Sequence, residues 1–388
     1  MRFDSRPSSL PAPSPDAAAH SARLLRHVAD LLDTAGGWIG FDRYMEAVLY
    51  APGLGYYTAG ARKLGDAAAG GDFVTAPEIS PLFAQALAAQ LAQLFTQVPA
   101  RILEFGAGSG ALAHDLIAAL RARGIETERY AIVEVSADLA QRQRRLLAHE
   151  PAVQWLAAPP AGFAGAIVAN EVLDVLPVRL FVRGAAAIFE RGVAVQEGRL
   201  RLEDRPAPAD LAQAVAAIEA EAGALPAGYC SEWSPLAAAW TASLAPVLAH
   251  GLALIIDYGF PRREYYHPQR LMGTLMCHYR HHAHADPLWL PGLNDVTAHV
   301  DFTAVADAAH AAGREVRGYT TQAHFLLNCG LLDRVQAQPA AERPRAAGAA
   351  QRLVSEAEMG ELFKVLALGR GVDLPLAGFA RGDRLHRL

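Results

Sequence analysis

Ten residues limit what this chain can fold into more than any others. Arg101 to Gly110, Arg-Ile-Leu-Glu-Phe-Gly-Ala-Gly-Ser-Gly, reads as a short buried strand through Ile102, Leu103 and Phe105 that breaks into a turn at Gly106, Gly108 and Gly110. A helical pattern follows at once, with Leu112, Leu116, Ile117 and Leu120 on one face and Ala111, Ala113 and Ala118 as strong helix formers. Strand, glycine turn and helix in succession make a pocket for a nucleoside. The glycines let the backbone pass close to a ligand, and the helix N-terminus offers unpaired N–H groups with a partial positive charge.

The glycines do not name the ligand by themselves. Gly106, Gly108 and Ala111 also satisfy the dinucleotide spacing G-x-G-x-x-G/A. Glu104, two residues before the first glycine, weighs against a pyrophosphate, which would meet a like charge there. S-adenosylmethionine carries a cationic sulfonium and an α-amino group and has no phosphate, so an acid followed by G-x-G-x-G suits it better. A methyltransferase is therefore the first reading of the motif, an NAD-dependent oxidoreductase the second, and a purely structural turn the third.

The elements around the motif alternate strand and helix, which predicts a parallel sheet covered on both faces. Tyr130–Val133, Val153–Leu156, Ala166–Ala169 and Leu252–Asp257 read as further strands, with Ser136 capping a helix to about Leu147. Ahead of the motif lie helical patterns over 20–34 (ended by Gly36-Gly37), over 41–50 and from Ser80 onward. From Val178 to about Arg205 the pattern becomes alternation broken by glycines, which suggests antiparallel strands inserted into the sheet topology. Residues 259–296 carry little regular signal and read as a long loop, of the kind that is usually functional. The chain closes with a helix from Thr303, a strand near Val316, a helix at 320–328, a linker over about 336–349, a further helix and a last strand, Phe363–Leu368. Along the chain this gives a disordered leader over 1–18, a helical or lid section over 19–98, an α/β core over 99–260 with an insertion at about 178–250, and a substrate loop with completion of the core sheet over 261–388.

Composition narrows the function classes. The 388 residues are 52% hydrophobic and 19% charged with a net charge of −5, which suits a globular enzyme and gives no basic field to recruit nucleic acid. Three widely spaced cysteines without a C-x-x-C pair point to a reducing compartment and away from structural zinc. There is no apolar run of roughly 18 residues that would span a membrane. His278, His281, His282 and His284 beside Cys277 match no closed zinc spacing, so no metal is expected and the segment reads as a polar surface or substrate loop.

Candidate chemistry collects at strand ends. Glu134 ends the second strand 24 residues past Gly110, where an acid can accept both ribose hydroxyls of an adenosine. Asn170-Glu171-Val172-Leu173-Asp174 follows the fourth strand. It either caps a short helix ahead of Pro177 or faces the transferred methyl. It is not the (N/D)-P-P-(Y/F) of enzymes that methylate amide or base nitrogens. Glu171 and Asp174 on one short loop suit a nucleophile that arrives positively charged, a guanidinium oriented by charge-assisted hydrogen bonds, with one carboxylate receiving the proton after transfer. Gly71 to Ser80 includes Thr75 and Pro77, and is either a Pro-stiffened helix entry or a lid over the cofactor. Arg280 with Asp286 reads as a loop salt bridge, and Asp301, near His299, as a helix cap.

Taken together, Gly71–Ser80, Leu103–Gly110, Val133–Ser136, Ala169–Pro177, Ile256–Gly259 and Thr297–Phe302 resemble the MidA family of class I S-adenosylmethionine-dependent methyltransferases, over roughly residues 40–370. The family includes an assembly factor of mitochondrial respiratory complex I that methylates an arginine of a complex I subunit. The resemblance implies an α/β, Rossmann-like fold with a seven-stranded, mostly parallel sheet, an N-terminal helical section and inserted strands and helices. It implies S-adenosylmethionine as cofactor, with Glu104, Gly106, Gly108, Gly110, Glu134, Asn170, Thr75 and Pro77 around it and Glu171 and Asp174 at the reactive end. The implied partner is a protein substrate with an arginine acceptor, such as a respiratory-complex subunit. The tyrosines and leucine-rich helices of the N-terminal section either cover the active site or form the surface of a homodimer. The implied location is the bacterial cytoplasm, or the mitochondrial matrix in a eukaryote. An assembly or scaffolding protein that keeps this fold for partner binding is the alternative from another class.

Overall fold

The computed structural model describes residues 10–60 and 74–388. They form two compact units, each assembled from three stretches of chain. One takes the described residues up to 60 with Asp174–Ala237 and Arg262–Asp301; the other takes Val74–Leu173, Ala238–Pro261 and Phe302–Leu388.

The second unit is built on seven strands: β1 (Arg101–Phe105), β2 (Arg129–Val133), β3 (Val153–Leu156), β4 (Phe163–Asn170), β5 (Leu248–Phe260), β6 (Glu315–Thr321) and β7 (Phe363–Arg370). They lie in the order β3-β2-β1-β4-β5-β7-β6. The first five are mutually parallel, and β7 runs against both β5 and β6. The strand order therefore reverses between β1 and β4, and an open α/β sheet binds ligands at such a switch point, beyond the carboxyl ends of its strands.

Alternation along the strands explains the layering. Ile102, Ile132, Ala166, Val168, Leu252, Leu254, Ile256, Val365 and Ala367 enter one apolar core with residues of the helices α1 (Pro81–Leu94) and α2 (Ala111–Arg121). Residues of the opposite parity, among them Leu103, Ala131, Ile167 and Ile255, are buried as well. A sheet buried on both faces reads as continuous apolar runs, and β4 and β5 do so. The helix α3 (Ala137–Leu146) joins β2 to β3, its N-terminus capped by the Ser136 hydroxyl.

The first unit is a different construction. Helices Pro15–Thr34 and Phe41–Tyr50 pack on an antiparallel sheet made of Trp38–Gly40, Arg179–Arg183, Ile188–Gln196, Arg199–Pro206 and Cys230–Trp233. The strands inserted after Val178 are antiparallel, as the alternation predicts. The first helix begins at Pro15, inside the stretch expected as leader, because Ser14 caps it and Leu10 is buried against Tyr279, Trp289 and Leu290.

Two expectations are corrected. Residues 259–296 are not a structureless loop: Met276–Tyr279, His282–His284 and Asp295–Thr297 form a small antiparallel sheet. Its strands are three or four residues long, and its hairpin turns on Arg280 and His281, both with positive φ and neither a glycine, so the usual turn signal is missing. Glu232 anchors this segment. Its buried carboxylate accepts the backbone N–H groups of Thr274 and Leu275 and the hydroxyls of Tyr265 and Thr274. The linker expected over 336–349 is likewise partly helical, since a helix starts at Arg343 with Pro344 in its first turn.

Candidate functional site

Register brings the candidate residues of the second unit to one edge. Phe105 on β1 pairs with Val133 on β2 and with Ala169 on β4, so Gly106, Glu134 and Asn170 each stand one residue past the same line. On β5, Ile256 pairs with Asn170, and Asp257 follows it. This edge is the switch point.

The turn after β1 needs its glycines. Gly106, Gly108 and Gly110 have φ of 63, 54 and 88°, a region that a Cβ makes costly by about 1–2 kcal/mol per residue. The Gly106 N–H donates to the Val133 carbonyl, which ties the turn to the end of β2. Gly110 is the N-cap of α2 and carries no side chain to cover the helix N-terminus; the Ser109 hydroxyl accepts from Ala111 N–H at 3.4 Å. Such a terminus presents donors and positive potential to a ligand.

Three acids differ in how they are held. Glu104, 2% exposed on β1, accepts a hydrogen bond of 2.8 Å from the Tyr130 hydroxyl. Burial pushes its carboxyl up to about 8; the tyrosine bond opposes this and the negative charge of Glu134 adds to it. Glu134 accepts from Ser136 N–H at one oxygen and from the Gln143 amide at the other, both at 2.9 Å. Burial raises its carboxyl too, against those same bonds. Glu171 sits just past β4 with φ of 54°, unusual for a residue with a side chain.

What holds Glu171 in that conformation is visible. Its N–H donates to the Ile256 carbonyl, and Asn170 Nδ2 donates to its Oε1 at 3.2 Å. The next two residues are clamped by Asp257, whose Oδ2 accepts Val172 N–H at 3.2 Å and Leu173 N–H at 2.9 Å while Oδ1 accepts Tyr258 N–H. Asn170 Oδ1 is buried and has no hydrogen-bond partner among the described residues. A buried amide oxygen keeps the capacity to accept a hydrogen bond.

The remaining candidates belong to other elements or fall outside the described residues. Asp174 belongs to the first unit, where it is buried and its carbonyl accepts from Ala298 N–H. Thr75 is the N-cap of a single helical turn, Ala76–Ile79, with Pro77 in its first positions, and that turn packs beside α2. Gly71–Phe73 of the same motif fall outside the described residues. Asp301 pairs with Arg262 at 3.2 Å, and Arg280 lies over the Tyr279 ring. Among the described residues no three His, Cys, Asp or Glu side chains converge as a metal site, and no helix is long and apolar enough to cross a membrane.

Two side chains important to this edge have no role in the sequence reading. Asp257 sits in a quoted motif, but nothing in the sequence says that it clamps a turn 84 residues upstream. Gln143 lies in a polar run, Gln141 to Arg145, where no spacing separates the one buried member from its neighbours.

The residues present suit S-adenosylmethionine. Acids rather than basic groups line the strand ends, the glycine turn leaves room for close approach, and an unpartnered amide oxygen can take an ammonium or hydroxyl proton. A pyrophosphate would meet the Glu134 carboxylate.

Known proteins agree with this geometry. Residues 84–320 match a family model described as S-adenosyl-L-methionine-dependent methyltransferase. A member of the COG1565 superfamily from Burkholderia thailandensis, solved bound to S-adenosyl-homocysteine, is 50% identical, with a TM-score of 0.93 over 98% of this chain and 100% of that one. The mouse (Mus musculus) mitochondrial protein arginine methyltransferase NDUFAF7 is 29% identical over 89% of this chain and 84% of its own length. Its Danio rerio counterpart is 27% identical over 92% of both.

Proposed function

The chain belongs to the S-adenosyl-L-methionine-dependent methyltransferase family described by that model, and from this premise we propose that it methylates an arginine side chain of a protein substrate. The names of the curated relatives support the acceptor. The observation that carries the reading is the carboxylate of Glu171, carried on a strained backbone at the switch point, beside a buried Asn170 oxygen that has no hydrogen-bond partner among the described residues. Hydride transfer to NAD, the second reading of the glycine turn, is set aside by the family membership.

In this reading Glu134 accepts the two ribose hydroxyls, and Val135, 77% exposed beside it, offers an apolar face to adenine. The glycine turn and the N-terminus of α2 accommodate the methionine part, while Glu104 and Asn170 Oδ1 face its cationic groups. S-adenosylmethionine, when bound, supplies an electrophilic methyl on a sulfonium. Glu171 orients the incoming guanidinium by charge-assisted hydrogen bonds, so that one nitrogen attacks in line. Attack forms an N–C bond as the methyl–sulfur bond breaks, and the acceptor nitrogen loses one proton, which the Glu171 carboxylate receives. Asp174 is carried forward as a second carboxylate on its sequence position alone. Thr75 and Pro77 are carried forward as part of a cover for the cofactor.

The finer proposals are an arginine of a respiratory-complex subunit as acceptor, a homodimer, and action in the bacterial cytoplasm. The names of the relatives support arginine as the acceptor. Transfer of radiolabel from S-adenosylmethionine into a cell extract, followed by peptide mapping, tests the acceptor. Label on an arginine is expected. Label on another residue overturns the acceptor, and a stable complex without label favours a scaffolding role.

A further inference from the structure

Gln143 is fully buried on α3, although Gln141, Arg144 and Arg145 beside it are exposed. Burying a primary amide is costly unless its donors and acceptor are satisfied. Here Nε2 donates to the Gly108 carbonyl and to Glu134 Oε2, both at 2.9 Å, while Oε1 accepts from Trp155 Nε1 at 2.9 Å. These partners fix the orientation of the amide. Turned over, it would set its oxygen against a carboxylate and a carbonyl, and its NH2 against an indole N–H. The stem of the side chain fills the space beside Gly110, where an added Cβ would stand 3.4 Å from Gln143 Cγ. One side chain thus joins the glycine turn, the acid at the end of β2 and the strand β3.

The consequence falls on Glu134. An ionised carboxylate offers about four acceptor positions, two on each oxygen. Ser136 N–H takes one on Oε1 and Gln143 takes one on Oε2, and the backbone N–H of Val135 bonds the carboxylate as well. A carboxylate pinned at both oxygens presents one fixed plane to the two O–H groups of a vicinal diol. We propose that Gln143 is the positioning residue for nucleoside recognition: it fixes the plane of the Glu134 carboxylate toward the ribose diol and couples that plane to the conformation of the glycine turn. This rests on Glu134 being the ribose acceptor. The Gln143 bond also opposes the rise that burial imposes on the Glu134 carboxyl, which keeps the acid an acceptor. Trp155 acts one step further out by holding the amide in its orientation.

The test is the dissociation constant of S-adenosylhomocysteine against that of its 2′,3′-dideoxy analogue, measured calorimetrically. The wild type is expected to bind the dideoxy analogue about 100-fold more weakly, as two hydrogen bonds to a charged group imply. In Gln143→Met, close in size but without the amide, the ratio is expected to fall to about 10-fold or below. Trp155→Phe, which removes only the indole N–H, is expected to fall between, and it decides the matter should Gln143→Met not fold. A merely structural role would weaken both ligands alike. An unchanged ratio in the folded variants therefore overturns the proposal. A wild type that does not discriminate between the ligands removes the ribose role of Glu134, and the proposal with it.

Discussion

A glutamate in the middle of a buried strand, such as Glu104, is tolerated only if its environment alters its chemistry. Tyr130 supplies one hydrogen bond, and burial raises the carboxyl from 4.5 to about 8. Between those values the native state holds a proton that the unfolded chain has released. The contribution of this group to stability is therefore complete below pH 4.5, declines as pH rises, and is lost above 8. Glu104→Gln should flatten the fall in melting temperature that the wild type shows from pH 5 to 9; an unchanged slope would contradict a raised carboxyl there. A cation seated beside Glu104 would favour the carboxylate, so S-adenosylmethionine binding at pH 7 should release protons, read from calorimetry in buffers of different ionisation enthalpy. Glu171 is the second residue whose backbone and chemistry conflict. Glu171→Gln should keep cofactor affinity and lose about 100-fold or more in turnover, whereas retained methyl transfer would remove it from the mechanism. At this scale the turn glycines are legible because spacing announces them. Tyr130, Gln143 and Asp257 are not, because each acts through a partner remote along the chain or in a run of similar residues.

Elements were legible in proportion to their length and periodicity. The strands β1, β2, β4 and β5 carry continuous apolar runs, and the helices around them carry apolar stripes, so burial could be read from pattern. The three-stranded sheet over 276–297 could not, because strands of three or four residues give no period and its turn residues are an arginine and a histidine. What organises that segment is a single carboxylate from another strand. Glu232→Ala would leave two backbone N–H groups and the hydroxyls of Tyr265 and Thr274 without their acceptor. The loss should be about 3 kcal/mol or more, read as a lower urea midpoint at an unchanged slope. A cost within about 0.5 kcal/mol, the range of an ordinary surface substitution, would contradict the anchoring role.

For the molecule as a whole, the sequence conveyed the class of fold and cofactor far better than the way the chain is partitioned. Reading along a chain yields contiguous segments, but each compact unit here gathers three separated stretches, and no local pattern marks where the chain leaves one unit for the other. The fold class was legible because strand–helix alternation is local and implies a parallel sheet covered on both faces, whereas the strand order emerges only from the pairing. The acceptor was less so, since it depends on how a strained loop and its clamp are placed in space. We propose the edge formed by Gly106, Glu134 and Asn170 as the S-adenosylmethionine site. Its most direct test is the melting temperature of wild type and Glu134→Ala in saturating S-adenosylhomocysteine. At a hundredfold excess over its dissociation constant, the ligand should raise the wild-type value by about 3 °C, and the variant, folded, should show little of that rise. No shift in the wild type, or the same shift in both proteins, would contradict the claim.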